Sequence, residues 1–195
     1  MMLLLSAAGC DDFSLLDQFR FLDMEFEKSQ IRPGEQCLLR PLGGTGPYAF
    51  SLADAELFDD GVNQADPGSI ENQTYTAGNS IGTARIKLAD SAGHAAEKGI
   101  DVIPWEPSNF TSDGAVAGPN TVNLAWAYDS PGYIGGFRLW RSKAGGAFEE
   151  IAALVIGDRV YEDLTASPQM NVYRLYTSAG GFLSAYAETS AKGNP

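Results

Sequence analysis

Cysteine and histidine are nearly missing from this chain: two cysteines and one histidine in 195 residues. A disulfide framework needs several pairs and a structural zinc site needs four clustered ligands, so both are excluded. Nucleophilic hydrolysis lacks a base for the same reason. His94 is the only histidine, and it follows the turn Asp90-Ser91-Ala92-Gly93, where it is expected to be solvated and without a partner. The patterns G-x-S-x-G, H-E-x-x-H and G-x-x-x-x-G-K-S/T are absent. The adjacent carboxylates Asp59-Asp60 read as solvated charges, because neighbours on a strand point to opposite faces. Asp59, Asp60, Asp66, Asp90 and Asp101 are the carboxylates available to calcium, but no D-x-D/N-x-D/N-G loop arranges them. The expectation is therefore a non-enzymatic protein with no catalytic residue, no cofactor and no metal site.

Basic charge is scarce as well. Thirteen Lys and Arg stand against 25 Asp and Glu, a net charge of −12, which excludes the counterion-releasing contacts that nucleic-acid binding requires. Docking on anionic lipid is opposed by the same field. The charge is unevenly divided: residues 1–104 carry 7 basic and 16 acidic side chains, a balance of −9, and residues 105–195 carry 6 and 9, a balance of −3. No stretch reaches the roughly 20 apolar residues of a spanning helix, so membrane attachment can arise only from the first ten residues.

Turn formers are abundant by contrast. Twenty-two Gly and ten Pro are scattered through a chain that is 44% hydrophobic and 19% charged. That is a globular composition, punctuated too often for helices and suited to many short strands.

The opening MMLLLSAAGC joins an apolar run, Met1 to Leu5, to the small residues Ser6-Ala7-Ala8-Gly9 and then to Cys10. Leu5 to Cys10 resembles the lipobox of bacterial lipoprotein precursors. The resemblance implies cleavage before Cys10, lipid attachment to its thiol, and a place in the bacterial cell envelope on the outer or inner membrane, facing the periplasm or the surface. A Cys10–Cys37 disulfide is the competing reading. The missing basic residue ahead of the apolar run leads us to expect a natural start upstream of Met1.

Residues 11–20 are expected to form a tether. From residue 21 the pattern becomes one of short strands. Phe21 to Phe26 leads to the turn Pro33-Gly34; Cys37-Leu38-Leu39, Tyr48 to Leu52, Ala84 to Leu88 and Ile100 to Ile103 are apolar or alternating. Gly43-Gly44 and Gly93 are placed where strands reverse and a positive φ is needed. The phrases Pro33-Gly34, Gly43 to Tyr48, Tyr75 to Gly78, Gly82 to Ala84 and Asp90 to Gly93, in that order, resemble bacterial Ig-like domains. Cys37 lies on the strand that carries one half of the inter-sheet disulfide in antibody-like domains. Its facing strand, Arg85 to Leu88, has no cysteine, so Cys37 reads as a buried thiol. The acidic stretch Asp54 to Asp60 is expected to form a protruding loop.

Pro104-Trp105-Glu106-Pro107 is the expected junction, with Trp105 packed between the domains, since proline cannot donate to a strand ladder. Beyond it Val122 to Tyr128 alternates, followed by candidate strands at Ile134 to Arg141, Ala147 to Ala152, Val160 to Leu164, Asn171 to Tyr176 and Leu183 to Ala187. Leu124-Ala125-Trp126, Gly136 to Arg141, Asp163-Leu164 and Tyr173-Arg174-Leu175 resemble the strand signatures of fibronectin type III domains. That resemblance implies a core role for Trp126 and a corner hydrogen bond for Tyr173. Trp140 is out of phase with Phe137 and Leu139 and shares a face with Arg138, which makes it the candidate contact residue.

The sequence thus leads to an all-β chain of two tandem antiparallel sandwiches: a signal segment over 1–10, a tether over 11–20, an Ig-like sandwich over 21–104 and a fibronectin type III-like sandwich over 105–195. The expected role is a lipid-anchored binding, adhesion or assembly module with a protein or glycan ligand. The alternatives are a structural spacer and an accessory module of a secreted carbohydrate-active system.

Overall fold

A computed structural model of the chain describes residues 21–53, 56–57, 65–112 and 120–193. Cys10, the expected tether and most of the acidic stretch from Asp54 to Asp60 lie outside the described residues. Every regular element within them is a strand.

The first nine strands are β1 (Asp23–Phe26), β2 (Gln30–Ile31), β3 (Gln36–Leu42), β4 (Ala49–Leu52), β5 (Glu56–Leu57), β6 (Ser69–Glu71), β7 (Thr74–Thr76), β8 (Gly82–Ala89) and β9 (Ala95–Val102). They form two sheets, β1-β3-β7-β6 and β2-β9-β8-β4 with β5 added to β8. The first order is that of the four-stranded sheet of a constant-type Ig domain. Alternation fixes the faces. Ala84, Ile86 and Leu88 of β8 point inward while Arg85 and Lys87 point out. Met24, Ile31, Cys37, Leu39, Tyr75, Ile100 and Val102 fill the space between the sheets. Cys37 is a free thiol in this core and is fully buried.

Three turns hold this sandwich in register. Gly43, Gly44 and Gly93 adopt φ of 67°, 66° and 89°, the positive values expected of them. The β8–β9 turn is tied by Asp90, whose carboxylate accepts hydrogen bonds from the amides of Thr45, Ala92 and His94. His94 departs from expectation here: its Nδ1 lies 2.9 Å from the Asp90 carboxylate, so the turn histidine has a partner. The hydrogen bond from the His94 side chain, helped by the amides and opposed by burial, holds the Asp90 pKa down at about 2. The β6–β7 hairpin turns at Asn72 and Gln73, with φ of 48° and 63°. A two-residue turn of this kind usually announces itself with Asn-Gly; here glycine is missing and the hairpin has no such local signal.

The second group comprises β10 (Ser108–Ser112), β11 (Val122–Ala127), β12 (Gly136–Lys143), β13 (Phe148–Val155), β14 (Val160–Asp163), β15 (Met170–Ala179), β16 (Phe182–Leu183) and β17 (Ala187–Lys192). One sheet runs β10-β11-β14 and the other β13-β12-β15, with β16 and β17 both paired to β15. Trp126 is 5% exposed, with its ring 5.6 Å from Phe137 in an edge-to-face contact. Val122, Leu124, Leu139, Tyr173 and Leu175 complete the core. Removing an aromatic of this size from such a core costs about 3–5 kcal/mol. Two strands differ from expectation. β10 falls outside every expected strand, and the expected strand Leu183 to Ala187 is interrupted at 184–186, between β16, which ends at Leu183, and β17, which runs from Ala187 to Lys192. β10 and β17 are polar edge strands, SNFTS and AETSAK, whose apolar alternation is too thin to show.

Tyr173 makes the expected hydrogen bond, but to a side chain. Its hydroxyl donates to the Asp163 carboxylate at 2.9 Å, and Arg141 donates to the same oxygen. Asp163 is 2% exposed and Arg141 7%. Burial opposes ionisation of Asp163, yet the hydrogen bonds from Arg141, the Thr165 amide and Tyr173 outweigh it and hold the carboxyl below its ordinary range. The same surroundings push the Tyr173 hydroxyl well above its ordinary value, burial first.

The junction between the sandwiches is short and braced. Strand β9 ends at Val102 and β10 begins at Ser108. Trp105 Nε1 donates to the Pro33 carbonyl at 3.2 Å, and the Arg32 guanidinium lies 4.9 Å above the Trp105 ring while pairing with Glu106 at 3.0 Å. Across the same seam the Tyr133 amide donates to the Asn79 carbonyl at 2.8 Å. Gly132, at φ +111°, sits so near that a Cβ there would lie 2.8 Å from Pro33 Cγ. Ala179, from β15, is buried in the first core, and Phe182 packs against it.

Candidate functional site

Strand alternation builds one outward face on the larger sheet of the second sandwich. On β15 the even residues Val172, Arg174, Tyr176 and Ser178 point away from the core, while Tyr173, Leu175 and Thr177 point in. On β12, Arg138 and Trp140 share that outward side. Register sets Trp140 opposite Arg174 and Arg138 opposite Tyr176, and Arg174 in turn faces Glu188 of β17. A bulge in β13 shifts the pairing so that Glu150 rather than Ile151 lies beside Trp140.

The result is a ridge of rings laced by ion pairs. The Trp140 and Tyr176 centroids are 6.4 Å apart and Tyr176 and Tyr186 are 5.7 Å apart, both edge to face. Arg174 is sandwiched, with its guanidinium 3.9 Å from the Phe148 ring and 4.2 Å from the Tyr186 ring. Its Nε donates to Glu188 at 2.8 Å, and Arg138 donates to Glu150 at 2.8 Å. Glu188 therefore raises the Arg174 pKa further and keeps it cationic. A polar depression of about 500 Å³ continues the face, lined by Gly135, Arg138, Glu150, Ser178, Gly180 and Leu183.

Trp140 is half-buried, in phase with Arg138 as expected, and Tyr186 is the most open ring at 46% exposure. The Trp140 indole N–H is buried and has no hydrogen-bond partner, so it is the ring and not this donor that the face presents. Ring edges beside charged groups suit a ligand with both apolar and hydrogen-bonding surfaces, such as a sugar or a polar peptide. Of this face, Trp140 alone is an expected contact residue. Arg174 and Tyr176 carried the same signal, being out of phase with Tyr173 and Leu175, whereas Phe148 and Tyr186 come from a strand end and a connection where phase gives no guide.

The carboxylates considered for calcium do not converge. Asp66 accepts from the Gly68 and Asn79 amides, Asp90 from its own turn, and Asp101 from the Thr83 hydroxyl. Asp59 and Asp60 lie outside the described residues. Trp126, by contrast, lies in the core.

No protein-family model matches the sequence, and no curated protein is similar to it. Solved structures are. The two-domain fibronectin type III segment of chicken tenascin superposes on 87% of this chain and 97% of its own length, with a TM-score of 0.58 at 9% identity. The FN1-FN3 domains of chicken CNTN1 cover 88% of this chain and 66% of their own, with a TM-score of 0.43 at 7% identity. A Fn3-like protein from Clostridium thermocellum covers 46% and 91%, with a TM-score of 0.37 at 23% identity. The tenascin superposition decides the architecture, and at 9% identity it speaks for the fold alone. The chain is all-β, built as two sandwiches in the manner of tandem fibronectin type III domains.

Proposed function

We propose that this is a non-enzymatic lipoprotein of the bacterial cell envelope, tied to the membrane through lipid on Cys10, that binds a protein or glycan through the outer face centred on Trp140. A fibronectin type III-like pair is a binding or structural module, and such domains are generally non-catalytic scaffolds. The finer reading draws on the lipobox resemblance of Leu5 to Cys10. The observation that carries it is the outward ridge of Trp140, Tyr176, Tyr186 and Arg174, a cluster far too polar to serve the core and too aromatic for an ordinary solvated face.

Two experiments test it. Palmitate labelling and mass analysis of the mature N-terminus should show a lipidated Cys10, and Cys10→Ser should abolish the label; an unprocessed, unlabelled chain defeats the anchor. Glycan arrays and pull-downs from envelope extract should return a ligand that Trp140→Ala releases. The braced junction supports a second reading, a spacer of fixed reach. That reading prevails if neither array nor pull-down yields a ligand while scattering gives one rigid shape.

A further inference from the structure

Strand β15 turns back as β16 through Gly180 and Gly181, at φ of 54° and 91°. Positive φ at both central residues makes the tight two-residue turn that suits the twist of paired strands. The tip does not stay with its own sandwich. Ala179, 2% exposed, is part of the first core, and Phe182 packs against the same cluster. At the root, the Ser184 amide donates to the Thr177 carbonyl at 3.0 Å and its hydroxyl accepts from the Thr177 amide at 2.9 Å. Beyond the root, β16 pairs with β15 at two positions only, Ser178 with Leu183 and Ala179 with Phe182. A ribbon of two short strands is marginal in water, so the tip owes its fixed place to the first sandwich.

The same hairpin walls the polar depression beside the aromatic ridge. Ser178, Ala179, Gly180, Gly181 and Leu183 line one side, and the ion pair of Arg138 with Glu150 lines the other. Gly135 completes the lining and is pinned to both sandwiches. Its amide donates to the Ser178 carbonyl at 2.8 Å, while two residues earlier the Tyr133 amide donates to Asn79. Arg138 and Glu150, by contrast, belong to β12 and β13 inside the second sandwich. One wall of the depression is thus attached to the first sandwich and the other to the second. Any movement between the sandwiches moves one wall against the other.

We propose that the junction gates this depression. With the hairpin tip seated in the first core, the depression keeps its shape; when the sandwiches hinge apart, the tip comes out and the wall it lends is lost. Coupling of this kind is reciprocal. Whatever fills the space between the hairpin and the Arg138–Glu150 pair also holds the tip in place, and stiffens the junction by the factor by which a closed junction strengthens binding. Trp105, Arg32 and Glu106 form the other tie across the seam. None of the three lines the depression, so they act on it only through the angle between the sandwiches. The use of the gate by a ligand rests on the binding role proposed above; the link between hairpin and junction does not, and it is measured without a ligand.

The test is hydrogen exchange and small-angle scattering on the full chain carrying Cys10→Ser, so that no lipid contributes, with variants at opposite ends of the link. Trp105→Ala cuts the brace and leaves the hairpin intact. Exchange at the Ala179 and Ser184 amides should then quicken about tenfold, equivalent to about 1.4 kcal/mol, while Leu139 and Leu175 in the second core hold their rates. Arg32→Ala, which breaks the same brace from the first sandwich, should give the same pattern. Phe182→Ala takes the plug from the first core and leaves the brace, and it should broaden the interdomain distances. Unaltered exchange at Ala179 and Ser184 in both brace variants, or unaltered interdomain distances in Phe182→Ala, overturns the proposal. Neither readout uses a ligand. A coupled chain that captures nothing on arrays fails the binding role alone, and a ligand-binding chain without the coupling fails this inference alone.

Discussion

Replacing Asp163 by alanine is the most informative single perturbation of the second sandwich. It leaves the Arg141 guanidinium, only 7% exposed, without its carboxylate, and it takes the acceptor from the Tyr173 hydroxyl and the cap from Thr165. Breaking a buried ion pair from one side costs about 3–5 kcal/mol. For a domain of this size each kcal/mol lowers the melting temperature by about 4–8 °C, so a fall of at least about 12 °C is expected. Hydrogen exchange locates the loss: amides of Tyr173 and Leu175 should exchange faster, and those of Ile86 and Leu88 in the other core should change far less. The triple variant Arg141→Met, Asp163→Leu, Tyr173→Phe removes every member of the network and should recover more than half of the loss, because the penalty belongs to the abandoned charge. The acid limb carries the same signature. A carboxyl whose folded pKa lies below its unfolded value near 3.9 stabilises fully above that pH, and the contribution is lost as pH falls toward the folded pKa. Asp163→Ala should therefore flatten the stability profile below about pH 4. A loss under about 1 kcal/mol with an unchanged acid limb would refute the reasoning.

The β8–β9 turn should loosen between about pH 4 and 2, the window set by the depressed Asp90 pKa, with the Thr45, Ala92 and His94 amides exchanging faster; Asp90→Asn should do the same at neutral pH, and unaltered exchange in both counts against the role given to Asp90. Trp105→Ala deletes the ring under Arg32 and the hydrogen bond to Pro33, and should broaden the interdomain distances seen by small-angle scattering while the melting of each sandwich moves little. Tyr75→Phe removes the hydroxyl that donates to the Pro67 carbonyl at 2.7 Å and should cost about 0.5–1.5 kcal/mol in urea denaturation.

What the sequence disclosed follows the strength of its alternation. β8 and β11 were legible because Ala84, Ile86 and Leu88, or Val122, Leu124 and Trp126, mark one buried face. β10 and β17 were not, because an edge strand between solvent and a neighbour needs few apolar residues, and β6–β7 turns without the glycine that would have betrayed it. The prolines on either side of Trp105 are a local signal for a break in strand pairing, while the role of Arg32 in bracing Trp105 has none. The contact face was half visible. Trp140 stands out by its phase, but the sandwiching of Arg174 on β15 between Phe148 on β13 and Tyr186 in the connection before β17 depends on three separate stretches meeting, which no single one encodes.

The parallel pairing of β2 with β9 matters for load. Gln30 lies beside Asp101 and Ile31 beside Val102, with the Asp101 amide bonded to Ser29 and the Ile103 amide to Ile31 at 3.3 and 2.8 Å. Pulling residue 21 away from residue 103 draws these two strands past one another. Their hydrogen bonds are then stressed together in shear, not opened one by one as in a peeled hairpin. Force applied to a ligand on the second sandwich enters through Trp105 and Glu106, which clasp Arg32 immediately after β2. The point where the molecule is braced is thus also the point where it best resists being pulled apart.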